Sequence, residues 1–382
     1  MGLAFFHSKS IVVEGLTVQR TGGDGVFLQD VNASRLSRLH LLDNFRQGLS
    51  IGAAADLLVE DCEFVDTGRG AAAAPACGVD AEPDNGGVLS NITFRRCISA
   101  NNTGCGIMVS SAAGVNAGSN VSVRFEDVHI DLRGQLNAVE CKRQPGGCGG
   151  SCRAAWGFAK WSNVPGEVAL DRCTVVGAGV NGPAVQLEIK GAASLITFAN
   201  CSFGMSSAAT SPAIAFTPHY WPAPSAPDHL LYGGLRVEDT CIHTDGALGT
   251  WLALVAPSGL ANVHVDAVLV REEERSPSAC AQAGVVVSVN GSWSDVTVDH
   301  SCATTCPHQL SDLALKASTA KLKSDDGSVR GTAKSRRVVR GWVSYGQGLW
   351  PNCSHHEPNC DHGQGALGMI AKHADVVDGV FL

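Results

Sequence analysis

The stretch GVDAEPDN, residues 78–85, holds Asp80 and Glu82 one small residue apart in a chain of which only 17% is charged. On a β-strand alternate side chains point to one face, so these carboxyls stand side by side, about 6.6 Å apart along the backbone. Two carboxyls suit hydrolysis of a glycosidic bond, one donating a proton to the leaving oxygen and the other staying ionised. Separations of about 6.5–9.5 Å belong to the inverting form of that reaction. Mutual repulsion raises the pKa of one member and lets it keep a proton near neutral pH. Asp80 is read as the base and Glu82 as the acid, with the reverse assignment left open. The plain alternative is a solvated strand face balanced by nearby arginine. The choice depends on the elements that carry the strand.

The chain repeats itself. ADLLVEDCEFVDTG (55–68), SNITFRRCISANNTG (90–104), VALDRCTVVGAG (168–179) and ITFANCSF (196–203) share two alternating apolar positions, a polar bend, often Cys, and a further apolar residue. Each leads through a Gly- or Asn-rich turn into a second short strand. These are GVFLQD (25–30), QGLSIG (47–52), GVDAEPD (78–84), GIMVSS (106–111), AVECK (138–142) and AVQLEIK (184–190). Strand and turn recur every 23 residues or more, with almost no helical periodicity, which describes an all-β coil of stacked rungs, a parallel β-helix. Rungs lie about 4.8 Å apart and bury their inward faces on one another. Cys62, Cys97, Cys173 and Cys201 share one register position and form an inward ladder of small apolar groups.

In the second strand, Val26 and Leu28 align with Leu49 and Ile51, Val79 and Ala81, Ile107 and Val109, Val139 and Cys141, and Val185 and Leu187. These point inward. Phe27 and Gln29, Ser50, Asp80 and Glu82, Met108 and Ser110, Glu140 and Lys142, and Gln186 with Glu188 point outward as stacked rows. Loops on the flanks then wall a groove over this polar face. Glu140, two rungs from Asp80 at about 9.6 Å, and Asp24, in the turn before the first strand, join the pair as catalytic candidates. Arg46, Gln47, Gln29, Asp43 and Lys142 are the candidates for holding substrate. Arg46 suits a sugar hydroxyl, a substrate carboxylate or an ion pair with Asp80. Asp24 and Asp43 also suit turns for their own backbone bonds.

GDGVFLQD (23–30), DNFRQGLSI (43–51) and GVDAEPDN (78–85), each closing a turn and opening the same strand, resemble the right-handed parallel β-helix (pectate-lyase-like) superfamily. That group contains polysaccharide hydrolases, polysaccharide lyases and uronan epimerases. The likeness covers about residues 10–300 as a repeat texture. The pattern N-x-R-Q-G-[IL]-S followed by G-[IV]-D-x-E-P is similar to that of β-helix proteins of the glycosidase type. The N-T-D, G-H-G and R-I-K signatures of the pectin hydrolases and the D-P-H-D of alginate epimerases are absent. The resemblance implies a right-handed coil, a polysaccharide or oligosaccharide substrate, hydrolysis, and no cofactor. It leaves open a lyase or epimerase in which Asp80, Glu82 and Glu140 hold Ca²⁺ while Arg46 or Lys142 removes a proton. A non-catalytic carbohydrate-binding scaffold is a third reading.

The formal charge of −8 argues against nucleic acid as a partner. No apolar run is long enough to span a membrane. Sequons at Asn32, Asn91, Asn101, Asn120, Asn200, Asn290 and Asn352 suit a secreted or cell-wall protein. MGLAFF is too short for a signal-peptide core, so the natural N-terminus is expected to lie further upstream. TPHYWPAPSAPDHL (217–230) is an excursion carrying His219, Tyr220 and Trp221. The β-helix is expected to fill residues 1–305. Residues 306–382 are expected to be a poorly ordered extension, with a basic polar segment from Lys316 to Arg340. Its Cys353, His355, His356, Cys360 and His362 have ligand-type side chains without a standard finger spacing. CGGSC (148–152) and CATTC (302–306) suit local disulfides.

Overall fold

The computed structural model describes residues 1–302 except 69–74, 84–86, 111–120, 136–152, 160–164, 189–190, 218–230, 245–249, 257–258, 273–283 and 290–292. Beyond them it describes only 319–322 and 369–372. The Pro-rich excursion after Thr217, the basic segment apart from 319–322, the Cys/His-bearing stretch 353–362 and most of both Cys pairs therefore lie outside the described residues.

All pairings among the described strands from Leu3 to Cys302 are parallel, and no described residue is helical. The chain returns to the same line rung after rung. Val79–Ala81 lies between Leu49–Ile51 and Ile107–Ser110 on one face. Leu89–Arg95 lies between Ala54–Glu60 and Val121–Glu126 on a second. Ile98–Ala100 lies between Glu63–Val65 and His129–Asp131 on a third. This is the right-handed parallel β-helix expected from the repeats.

The corners explain why the repeats contain a polar bend. Arg38, Asp61, Arg96, Asp127 and Arg172 occupy successive turns of one corner with φ of 51°, 55°, 51°, 55° and 53°. This left-handed conformation is unfavourable for a residue with a Cβ by about 1–2 kcal/mol. Here the sign of charge alternates from rung to rung. Arg96 Nε donates to Asp61 Oδ1 at 2.7 Å, and Arg172 Nε to Asp127 Oδ1 at 2.9 Å. The next residue turns inward, and there the Cys ladder appears. Cys62, Cys97, Cys173 and Cys201 are free and buried. Each thiol donates to the carbonyl two residues earlier, as Cys62 does to Glu60 at 3.2 Å. Cys105 and Cys241, by contrast, are disulfide-bonded.

Among the described residues, most aromatic rings lie inside the coil. Phe94 and Phe125 pair in register with ring centroids 4.9 Å apart, and Trp156 meets Phe125 edge-on at 4.9 Å. The polar face is set by two inward columns. Val26, Leu49, Val79, Ile107, Trp156, Val185 and Ile214 stack in one, and Leu28, Ile51, Ala81, Val109, Phe158, Leu187 and Phe216 in the other. One expected rung is corrected. The strand that follows Ile107–Ser110 is Trp156–Ala159, not 138–142. AWGFA alternates like AVECK, but its two large aromatic rings fill the core beside Phe125 and Phe198. The strand Thr250–Ala256 also lies on this face and was not legible as part of the repeat.

Small residues lead into each strand of this face. A Cβ on Gly78 would stand 2.4 Å from Ser99 Oγ, 2.6 Å from Asn102 Nδ2 and 2.7 Å from the Gly106 carbonyl. Asn102 is buried and bridges the turn. Its Oδ1 accepts from the Thr67 amide at 3.0 Å, and its Nδ2 donates to the Phe64 carbonyl at 3.1 Å and to Ser99 Oγ at 2.9 Å. Asn102→Ala leaves those buried backbone groups without partners. It is expected to lower stability by about 2 kcal/mol or more, read as a shift in the denaturant midpoint. An unchanged midpoint refutes the bridge.

Candidate active site

Asp80 and Glu82 flank inward-pointing Ala81, which is 1% exposed. The strand ends at Ala81, but the Glu82 amide still donates to the Ile51 carbonyl at 3.0 Å. Both carboxyls thus belong to the outward face, as the spacing predicts. Around Asp80 that face is not solvated, however. Asp80 is only 5% exposed, and Ser50 and Met108, its neighbours on the adjacent rungs, are also buried. Met108 packs with Cys77, Cys105 and Ala154 in a small apolar cluster outside the coil.

A chain of polar contacts runs beneath this cover. Arg46 Nε donates to Asp24 Oδ1 at 2.9 Å, and its Nη2 donates to Gln47 Oε1 at 3.2 Å. Ser50 Oγ also donates to Gln47 Oε1. Gln47 Nε2 in turn donates to Asp80 Oδ2. Ser110 Oγ donates to Glu82 Oε1 at 3.3 Å. The other oxygen of Asp80, Oδ1, is buried and has no hydrogen-bond partner among the described residues.

Burial is the main reason that the Asp80 carboxyl is pushed up to about 8. The charge of Glu82 adds to it, and Arg46 and Gln47 act in the opposite direction. Asp80 therefore carries a proton at neutral pH. Burial also raises Asp24, against the charge of Arg46. Cys77 is raised well above the ordinary thiol range, chiefly by burial and then by Asp80. It is an inert thiol. Glu188, three rungs from Glu82 in the same outward column, is pushed up to about 7 by burial. Gln186 Nε2 donates to Glu188 Oε1.

The structure thus brings together Asp80, Glu82, Asp24, Arg46 and Gln47 of the residues read from the sequence. Gln47 takes a different role from the one expected, because it is 0% exposed and its amide is engaged within the protein. Gln29 lies across Gly52, whose missing Cβ would stand 2.1 Å from Gln29 Oε1. Asp43 is placed elsewhere. It forms a corner at φ 52° and pairs with Arg20 at 3.3 Å. Glu140 and Lys142 lie outside the described residues, and Gly157 occupies the place expected for Glu140 two rungs from Asp80. Ser110 and the Cys77–Met108 wall were missed as site residues. Their signal was their position one rung from Asp80 or at the turn into its strand. No group of three or more His, Cys, Asp or Glu residues converges to hold a metal among the described residues. No helix among them is long and apolar enough to cross a membrane. No family model, curated protein or solved structure matches the chain.

Proposed function

We propose that this β-helix hydrolyses a glycosidic bond in a polysaccharide, with Asp80 as the proton donor and Glu82 as its partner carboxylate. The observation that carries the reading is Asp80 itself: a buried, protonated carboxyl with one oxygen unpartnered, beside a second carboxyl on the same strand face. Burying such a group costs stability and suits a site that must hold a proton at neutral pH. Spacing leaves either assignment open, and this one is favoured because burial falls on Asp80 while Glu82 is only half-buried.

In the proposed reaction, the Asp80 proton passes to the glycosidic oxygen as the bond from that oxygen to the anomeric carbon breaks. Glu82 activates the attacking water or attacks the carbon itself, the two forms of this chemistry. Arg46 pairs with Asp24, and Asp80 keeps its proton because burial and the charge of Glu82 outweigh the effect of Arg46. Beyond Met108, the outward row continues through Gly157, Gln186 and Ala215, small or polar side chains that suit a long substrate. The superfamily resemblance of the GVDAEPDN stretch supports the same substrate class. The disulfide-bonded Cys105 and Cys241 and the exposed sequon residue Asn91 support a secreted protein.

Of the two bases that the lyase reading names, Arg46 is committed to Asp24 and Gln47, and Lys142 lies outside the described residues. A panel of polysaccharides separates the readings. The expected result is new reducing ends without an ultraviolet-absorbing unsaturated product. Glu82→Gln is expected to lower that rate by about 10²–10⁴-fold with the fold intact. Unsaturated product suppressed by a chelator identifies a lyase and overturns the proposal, as does glycan binding without any cleavage.

A further inference from the structure

Gln47 sits at the centre of the polar chain, yet it is sealed from any ligand. Its orientation is decided by Arg46. A guanidinium can only donate, so the Gln47 atom within 3.2 Å of Arg46 Nη2 must be the amide oxygen. The Ser50 hydroxyl donates to the same oxygen. The amide nitrogen is thereby turned toward Asp80 and must donate to its Oδ2. An amide N–H cannot accept, so Oδ2 is held as the acceptor. In a neutral carboxyl the carbonyl oxygen is the better acceptor, and the hydroxyl falls to the other oxygen. That oxygen is Oδ1, which is buried and has no partner among the described residues.

We infer that Gln47 is a positioning residue: locked by Arg46 and Ser50, it holds Oδ2 of Asp80 as the carbonyl oxygen and leaves Oδ1 to carry the proton. The inference rests on the proposed role of Asp80, but its structural content does not. It predicts which oxygen is protonated whether or not the protein cleaves glycans. Arg46 and Asp24 then act through Gln47, since their ion pair fixes the guanidinium that sets the amide.

The test uses infrared difference spectroscopy of the protonated-carboxyl band during a pH titration, with Asp80 assigned as the band lost in Asp80→Asn. Two variants are compared with the parent protein. Gln47→Leu removes the donor to Oδ2. Gln47→Glu keeps the size and the contact with Arg46 but replaces the donor with an acceptor, which draws the Asp80 proton onto Oδ2. In both, the carbonyl stretch of Asp80 is expected to rise in frequency as its hydrogen bond is lost. The titration is expected to move to higher pH by roughly half a unit or more, because Gln47 favours the charged form. With a cleavable glycan in hand, kcat is expected to fall about 100-fold or more with little change in KM. An Asp80 band and titration unchanged in the folded variants overturn the positioning role, even if hydrolysis is found. Shifted spectra in a protein that cleaves no glycan keep the positioning role and reject only the hydrolase reading.

Discussion

Asp80→Asn is expected to remove the proposed hydrolysis and to make the fold more stable at neutral pH. Both results follow from one buried proton. In the unfolded chain the Asp80 carboxyl titrates near 3.8, and in the folded protein near 8. Between those values the native state binds a proton that the unfolded state has released, so stability falls as pH rises through this window. Below it the carboxyl is neutral in both states and carries no penalty. Above it the full penalty is present. The slope approaches about 1.4 kcal/mol per pH unit, and the accumulated loss at pH 7 is up to about 4 kcal/mol. Asn is isosteric and uncharged, so the variant escapes this loss. Denaturant unfolding across the window is therefore expected to show Asp80→Asn gaining on the parent as pH rises. A residual slope of the same sign remains from Glu188, which burial raises to about 7. A variant that is less stable at every pH, or that keeps the parent's slope, shows that Asp80 is not the protonated group. Gain of stability with loss of activity is the pattern of a site that holds a group against its own solvation preference.

Phe125→Ala is the substitution expected to destabilise the coil most. Phe125 is wholly buried and stacks on Phe94 with an interplanar angle of 19°, while Trp156 meets it edge-on. Truncation leaves a cavity between two rungs that are held by their own hydrogen-bond ladders and collapse poorly. The expected loss is about 3–5 kcal/mol. Phe27→Ala is the matched control. Phe27 is half-buried, points outward and meets only Phe6 at 5.6 Å among the ring contacts, and it is expected to lose about 1 kcal/mol. Each rung leans on its neighbours, so amide protection in Phe125→Ala should fall first around Phe94 and Trp156. Trp156 opens the strand next but one to Asp80, which carries the disturbance to the site face. Equal losses in the two variants contradict the stacked core.

The fold was legible in the sequence because its signals are local and repeated. Alternation of apolar residues over strands as short as Val79–Ala81, Gly or Ala before the strands of the site face, and Asp, Asn or Arg at many corners follow from strand geometry and left-handed turns. The Cys ladder follows from the same register. The common face of Asp80 and Glu82 was also contained in their spacing, since side chains on a strand alternate without regard to what lies around them. Three things were decided only in three dimensions. Trp156–Ala159, rather than the stretch holding Glu140, follows Ile107–Ser110, because strand choice after a long insertion depends on which side chains fill the core. Asp43, as acidic as Asp24 and nearer in sequence to Arg46, turns to the Arg20 corner while Asp24 joins Arg46. Most consequential is the burial of Asp80 against Met108 and Cys77 with Gln47 on one oxygen. Spacing sets the direction in which a carboxyl points. Its proton is set by the dielectric and the donors around it, and these come from residues remote along the chain.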